Sequence, residues 1–422
     1  MKRVLIIVHS PRVSTRIEGL VKYLPEFYWQ PVILTGVKNK YTDLPARIVE
    51  TTYRDALGFL RYLLKLDPEK DVKQQIKNRF GITSKKSPVD FFFTLGGEII
   101  NYPCPGKNWK PFALKAAREF LQTENIDAVI SSSPPVVSHL ISSELKTEHN
   151  IPWIADFRDL WSQNHNYKYS PLRKAFDKRL ELKTLSQVDA LTTTSQPWAE
   201  QLGALHKGKP VYTITHGFNP ADANIPPAKL TTKFTINYTG IIYPGKQDTS
   251  KLFAALRDLI SSGTICREDI EIRFYGVEDP WLQEETRQYG VSDIVNQLGK
   301  VTREVAVQKQ RESQLLLLLD WDDPQERGVY TGKIFEYLGS RRPILAIGGA
   351  RGNIVAKLLD ETMAGIHAPT IEDVKNALKE LYREYKLKGA VIYKGDEVEI
   401  NKYSHREMAR KFSEILEHQA QG

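Results

Sequence analysis

Cysteine is nearly missing from this chain: Cys104 and Cys266 are the two in 422 residues. Two thiols make no disulfide framework, so a packed core has to hold the fold, and both are expected to stay reduced, as in cytosol. Long apolar runs are missing too. The longest, such as Leu315 to Leu319, cover five residues, against the roughly 20 a membrane-spanning helix needs. Met1-Lys2-Arg3 leads at once into Val4 to Val8, which is too short for a signal-peptide core and lacks a small-residue cleavage site. The nine His form no His-x-x-x-His pair and the two Cys no Cys-x-x-Cys, which argues against a zinc site. There is no Gly-x-Ser-x-Gly elbow for a hydrolase and no P-loop. No Gly-x-Gly-x-x-Gly follows the first strand, where the chain reads His9-Ser-Pro-Arg-Val-Ser14; that weakens a nicotinamide or flavin reading. No repeat of about 20–50 residues is visible, so solenoids and propellers are set aside.

What is present is an ordinary folded composition, 41% hydrophobic and 26% charged, of a length that suits two or three domains at about 150 residues each. The net charge of +8 is unevenly placed. Up to residue 226 there are 31 Lys/Arg against 22 Asp/Glu, and beyond it 28 against 29. A basic first half either attracts an anionic partner, such as a membrane surface, nucleic acid or a phosphorylated substrate, or serves solubility alone.

Short β-rich runs recur between helical patterns. They are Val4–Val8, Pro31–Thr35, Arg47–Thr51, Ala128–Ser131, Trp153–Phe157, Ala190–Thr194 and Val211–Thr215, then Thr235–Tyr238, Glu271–Tyr275, Ile294–Leu298, Leu315–Asp320, Ile344–Ile347 and Gly365–His367. Several are continuously apolar, as strands buried on both faces are. Strand alternating with helix predicts parallel sheets. The segment 218–233, with Pro220, Pro226 and Pro227, has no apolar period and reads as a linker. The expected class is therefore α/β, with two Rossmann-like domains facing across a cleft: 1–217, the linker 218–233, 234–402, and a closing helical segment 403–422. Residues 54–111 break the rhythm. They set Lys and Arg among apolar residues and include Phe91-Phe92-Phe93. That mixture suits an anionic lipid interface, or else a core helix with a solvated loop.

Three segments carry chemistry. In Gly328 to Ala346, Thr331-Gly332 can open a helix whose free N–H groups bind an anion, with Lys333 and Glu336 in its first turns. Glu336 can accept from ribose hydroxyls, or Lys333 and Glu336 form an ordinary salt bridge; Gly339 and Pro343 are expected to end the helix. In Asn237 to Lys246, a strand ending at Gly240 and a loop bearing Lys246 make a plausible diphosphate clamp. In Trp153 to Trp161, a buried strand runs into Asp156, Arg158 and Asp159, which are either site residues or an Arg braced between two acids. Asp320-Trp-Asp322-Asp323 invites a metal reading, but a polar loop at the cleft edge is expected instead, with no metal.

In this order along nearly the whole chain, these pieces resemble the two-domain GT-B glycosyltransferases, in particular glycosyltransferase family 4. The resemblance rests on the first strand with the loop His9 to Arg16, then Ser132-Ser-Pro-Pro135, Ile154 to Trp161 and Thr193-Thr-Ser195. It continues through His216-Gly-Phe-Asn219, Tyr238-Thr-Gly240 with Lys246, Phe274-Tyr-Gly276, Gly332 to Gly339, and Arg342-Pro343. It implies a nucleotide-sugar donor site in the second half and a glycan or lipid-linked acceptor in the first. Glu336 matches the second acid of the family's E-x7-E motif, which holds ribose. Thr331 and Gly332 match its diphosphate-binding backbone, and Lys246 the neutralising cation. Gly299 to Val301 falls where relatives hold the base. The first acid of the motif is replaced by Gly328, with Asp322 and Glu326 nearby. The resemblance further implies retaining, metal-free transfer with Asp156, Arg158 and Asp159 as catalytic candidates, no separate cofactor, and a closing helix that returns to the first domain. Cell-envelope synthesis in the cytoplasm, with peripheral contact to an anionic membrane and no nucleic-acid partner, completes the expectation. The alternatives are a sugar-nucleotide epimerase or hydrolase on the same fold, or a degenerate nucleotide-sugar-binding protein.

Overall fold

The computed structural model describes residues 1–9, 14–36, 44–52, 101–167, 169–223, 228–323, 326 and 328–421. Most of the basic, aromatic stretch 54–111 therefore lies outside the described residues, as do positions 224–227 of the expected linker. The chain divides into two compact units, one of Met1–Ile214 with Ala409–Gly422 and one of Thr215–Met408.

Among the described residues the first unit has a seven-stranded sheet in the order β3-β2-β1-β4-β5-β6-β7, every neighbouring pair parallel. The strands are β1 Lys2–Ile7, β2 Trp29–Thr35, β3 Arg47–Glu50, β4 Ala128–Ser133, β5 Trp153–Phe157, β6 Ala190–Thr193 and β7 Val211–Thr213. Its longer helices are α1 Thr15–Tyr23, α2 Lys110–Thr123, α3 Val137–His149, α4 Pro171–Thr184 and α5 Gln196–Leu205. Strands β1, β4 and β5 are buried along nearly their whole length, which is why their sequences run apolar without alternation.

The second unit repeats the plan with six strands, β10-β9-β8-β11-β12-β13, again all parallel. These are β8 Phe234–Thr239, β9 Ile270–Tyr275, β10 Val295–Gln297, β11 Leu315–Leu319, β12 Ile344–Ile347 and β13 Gly365–Ala368. Its helices include α6 Ser250–Ser261, α7 Pro280–Gln288, α8 Arg303–Arg311, α9 Gly332–Ser340, α10 Ile354–Thr362, α11 Ile371–Lys388 and α12 Glu397–Asn401. The five leucines of β11 divide by the strand period of two. Leu315, Leu317 and Leu319 join a core with Phe234, Ile236 and the inner faces of α6 and α11. Leu316 and Leu318 join the opposite core with Ile334, Phe335 and Leu358 of α9 and α10. All thirteen runs expected as strands are strands, with ends shifted by a residue or two.

In each sheet the strand order reverses once, between β1 and β4 and between β8 and β11. Ligands of open α/β sheets bind beyond the carboxyl ends of the strands at such a reversal. The closing helix α13, His405–Ala420, belongs to the first unit from Ala409 onward. There Lys2 pairs with Glu417 at 2.6 Å, and the Arg16 guanidinium lies 5.1 Å from the Phe412 ring centre.

Candidate functional site

The reversal point of the second sheet gathers most of the residues that the sequence singled out there. Strand β8 stops at Gly240, whose φ of +125° favours glycine. A methyl group at Gly240 would also stand 2.4 Å from Cε of Lys333. The Lys333 stem crosses this loop, and Nζ donates to the Ile241 carbonyl at 3.3 Å and sits 5.3 Å from the Tyr238 ring centre. Burial pulls the Lys333 ammonium down to about 8, against the opposing pull of Glu336. No ion pair joins Lys333 to Glu336 among the described residues, so the ordinary salt-bridge reading does not hold.

Helix α9 begins where expected, with Thr331 as its extended N-cap residue. The Thr331 side chain makes no capping bond, and its buried Oγ1 has no partner among the described residues. Gly332 is exposed. An uncapped first turn leaves backbone donors and a partial positive charge facing the loop after β8. The expected stop at Gly339 is corrected: Gly339 lies inside the helix, where a Cβ would come within 3.1 Å of Phe218. The helix ends instead at Arg341, in the left-handed region with φ of 53°.

Glu336 is half-buried one turn into α9 and is aimed by a residue that sequence reasoning missed. Gln310 of α8 is fully buried. Its Nε2 donates to Glu336 Oε1 and to Thr239 Oγ1, the latter at 2.8 Å. Its Oε1 accepts from Ser340 Oγ at 2.6 Å. The amide is thereby fixed from three sides and holds the carboxylate in one orientation. The Tyr337 hydroxyl accepts from the Thr239 backbone N–H at 3.1 Å, locking α9 to the end of β8.

Lys246 lies on the loop after β8 and pairs with Asp323 on the loop after β11. Lys251 pairs with Asp322 at 2.5 Å. Asp320 is 1% exposed; it accepts from Asn353 Nδ2 at 2.7 Å and lies 3.6 Å from His367 Nε2. The three carboxylates of the 320–323 loop are thus each engaged, and no cluster suited to a metal ion occurs among the described residues. Val301 is exposed beyond the loop after β10. The neighbouring Gly299 carbonyl accepts from Gly276 N–H at 3.0 Å, and Gly240 N–H donates to Tyr275 at 2.7 Å. The loops after β8, β9 and β10 therefore form one hydrogen-bonded rim.

In the first unit, Asp156 is fully buried within β5. It pairs with the equally buried Arg16 at 2.9 Å and accepts from Ser132 and Thr192 at 2.9 and 2.8 Å. Burial pushes its carboxyl up, but Arg16 and these hydroxyls outweigh that and hold it below its ordinary value. Its oxygens are occupied, so among the catalytic candidates Asp156 is the one engaged within the sheet, tying Arg16 to the ends of β4 to β6. Arg158 donates to the Ser133 and Pro134 carbonyls at 3.1 and 2.5 Å and shapes the loop after β4. Asp159 is half-buried at the carboxyl end of β5, close enough to act electrostatically on Arg158 and Tyr167. Beside them, Pro134, Pro135, Trp161, Tyr167, Tyr169 and Asp177 line a cavity of about 350 Å³.

Residues 13–214 match the model of a glycosyl transferase 4-like domain. No curated protein matches the chain in sequence. Among solved structures, the chain is similar to the Anabaena protein Alr3699/HepE in complex with UDP and glucose. The two share 10% identity over 99% of this chain and 100% of that one, with a TM-score of 0.63. It is also similar to sucrose-phosphate synthase from Thermosynechococcus elongatus, at 13% identity over 99% of both chains and a TM-score of 0.58. A third similar structure is the lipopolysaccharide outer core galactosyltransferase WaaB in its apo form. There the identity is 12% over 99% of this chain and 100% of that one, with a TM-score of 0.56. Residues 13–214 are thus similar to a glycosyl transferase 4-like domain, and along its length the chain has the two-domain α/β fold of the GT-B glycosyltransferases.

Proposed function

We propose that this chain is a glycosyltransferase that moves a sugar from a nucleotide-diphosphate donor to a glycan or lipid-linked acceptor. The observation that carries the reading is the uncapped start of α9 at the sheet reversal, with Lys333 laid against Gly240 and Glu336 aimed by Gln310. In this reading the backbone N–H groups at Thr331 and Gly332 take the diphosphate, and Lys333 and Lys246 neutralise it. Glu336 accepts from the ribose, and the rim at Gly299 to Val301 holds the base. UDP is the favoured nucleotide, because the Anabaena protein was solved with UDP-glucose. Breaking the sugar–phosphate bond leaves charge on the departing diphosphate, which a helix N-terminus and ammonium groups stabilise without water rearranging. The Asp320 to Asp323 carboxylates already hold Asn353, Lys251 and Lys246; that favours transfer without a divalent ion. Arg158 and Asp159 belong to the acceptor side, retention of configuration is expected, and the setting is cell-envelope synthesis at a cytoplasmic membrane face.

The test is calorimetric titration and thermal shift with UDP, GDP, ADP and dTDP sugars, with and without EDTA. A donor at about a hundred times its dissociation constant adds roughly 2.7 kcal/mol of stability. One nucleotide class stabilising the wild type independently of EDTA, and Glu336→Ala at least tenfold more weakly, supports the assignment. No response to any donor overturns it.

A further inference from the structure

Helix α4 is built inside out. Pro171 at its first position and the Ser170 hydroxyl, which accepts from Arg173 N–H at 3.3 Å, fix its start. The residues it turns inward are polar: Arg173, Asp177, Glu181 and Thr184, each no more than 5% exposed. Arg173 Nε donates to Asp177 at 2.8 Å and Nη2 to the Pro103 carbonyl at 2.8 Å, with the rings of Tyr102 and Tyr169 on either side. Glu181 accepts from the Ser162 N–H at 3.0 Å and lies 3.3 Å from His206 Nε2. These bonds forbid the helix from rolling over.

The arc left outside is apolar and cationic. Leu172 is 67% exposed, Phe176 55% and Leu182 39%. Leu172 and Phe176 stand one turn apart, and Lys174, Lys178, Arg179 and Lys183 are exposed around them. Both acids of the helix face inward, and none of these four cations has an ion-pair partner among the described residues. Large apolar side chains amid unpaired cations, on a helix free of outward acids, match the chemistry of an interfacial helix. The cations complement anionic headgroups and the apolar side chains enter the acyl boundary. Asp177, on the inner side of the same helix, lines the cavity beside Trp161, Tyr167 and Tyr169. The same helix therefore carries the outward apolar and cationic arc on one side and a pocket-lining residue on the other.

We propose that the outer face of α4 is a docking surface for an anionic lipid bilayer, seating Leu172 and Phe176 among the headgroups. The proposal deepens the membrane-side part of the proposed function and is independent of its donor chemistry. The full-length protein is sedimented with vesicles of phosphatidylcholine alone or with about 30 mol% phosphatidylglycerol. Binding is expected to the anionic vesicles only and to fade at about 1 M salt, where screening is nearly complete. Leu172→Ser with Phe176→Ser is expected to weaken it at least tenfold, and separately Lys174, Lys178, Arg179 and Lys183 all to Gln by several hundredfold, at about fivefold per cation. Leu387→Ser, at a 75% exposed apolar position in the other unit, is expected to change nothing. Circular dichroism of each variant establishes folding, and Phe176→Trp gives a blue-shifted fluorescence component on anionic vesicles only.

Unchanged binding in both α4 variants overturns the proposal, as does no binding to anionic vesicles. So does a wild-type self-association, seen by sedimentation velocity, that the Ser variant abolishes, because the face then meets a second copy. The UDP-sugar thermal shift is run on the same samples. A lost shift with vesicle binding intact counts against the donor site alone, and the reverse against α4 alone.

Discussion

A single buried histidine makes the stability of the first unit depend on pH. His139 of α3 is fully buried, with Nδ1 at 2.7 Å from Ser131 Oγ and its ring 4.5 Å from that of Phe157. Ser131 Oγ also accepts from Trp153 Nε1 at 2.7 Å, so one hydroxyl joins the ring of α3 to both β4 and β5. Burial lowers the His139 pKa to about 3, with Asp156 opposing and Arg158 assisting. The unfolded chain takes up the proton near pH 6.5 and the folded chain refuses it. Stability is therefore lost as pH falls from about 6.5 toward 3, by at most about 1.4 kcal/mol per unit. In urea titrations, the stability of His139→Leu relative to wild type should improve by at least about 1 kcal/mol between roughly pH 7 and pH 5; a constant difference sinks this account. Lys333 gives the opposite kind of handle. A diphosphate needs the ammonium, whose pKa in the free protein is about 8. Donor affinity should be level below that pH and fall above it, approaching tenfold per unit, and Lys333→Gln should bind weakly and evenly across the range. A wild-type profile that stays flat to about pH 9.5 would show that the ammonium is not at the phosphate. The Trp153–Ser131–His139 chain leaves no mark in the sequence, because two strands and a helix assemble it.

At the scale of elements, the strands were legible and the polar contacts between helices were not. Runs such as Leu315–Leu319 and Ile344–Ile347 are strands because a central parallel strand is apolar on both faces, and that leaves a continuous mark in sequence. Thr331-Gly332 announced the start of α9 by composition. Its end was misplaced because Gly339 serves close packing against Phe218 rather than termination. Gln310 escaped altogether: in Gln308-Lys309-Gln310-Arg311, at the end of α8, it looks like part of a solvated helix face. Burial turns it into the piece joining α8, α9 and β8 through Glu336, Ser340 and Thr239. Gln310→Leu keeps similar bulk but leaves buried polar groups without partners, at about 1–3 kcal/mol each. The expected outcome is a loss of roughly 1–3 kcal/mol in denaturant unfolding together with about tenfold weaker donor binding. Donor binding that survives unchanged while stability falls would reduce Gln310 to a packing role.

At the scale of the molecule, the charge asymmetry and the pair of sheets divide the work in the proposed function. The excess of 31 Lys/Arg over 22 Asp/Glu lies in the first 226 residues, where α4 carries four unpaired outward cations among the described residues. The near-neutral remainder holds the residues proposed for the donor, where Lys246 and the nearby Lys251 are already balanced by Asp323 and Asp322. A diphosphate arriving at Lys246 must compete with Asp323, so the loop after β11 is expected to rearrange when donor binds. Hydrogen exchange read peptide by peptide tests both halves of this division. A saturating UDP-sugar should slow exchange in residues 240–247, 320–323 and 331–340, while residues 137–157 around His139 and Asp156 keep their rates. Lowering the pH from about 6.5 to about 5, with rates corrected for intrinsic exchange, should speed 137–157 through the unfavourable protonation of His139 and leave β8 and β11 unchanged. Asp323→Asn removes the competitor and should strengthen UDP binding several-fold, with the protection on 240–247 reached at correspondingly lower concentration. Weaker binding in that variant would mean that Asp323 holds Lys246 in its binding position rather than withholding it.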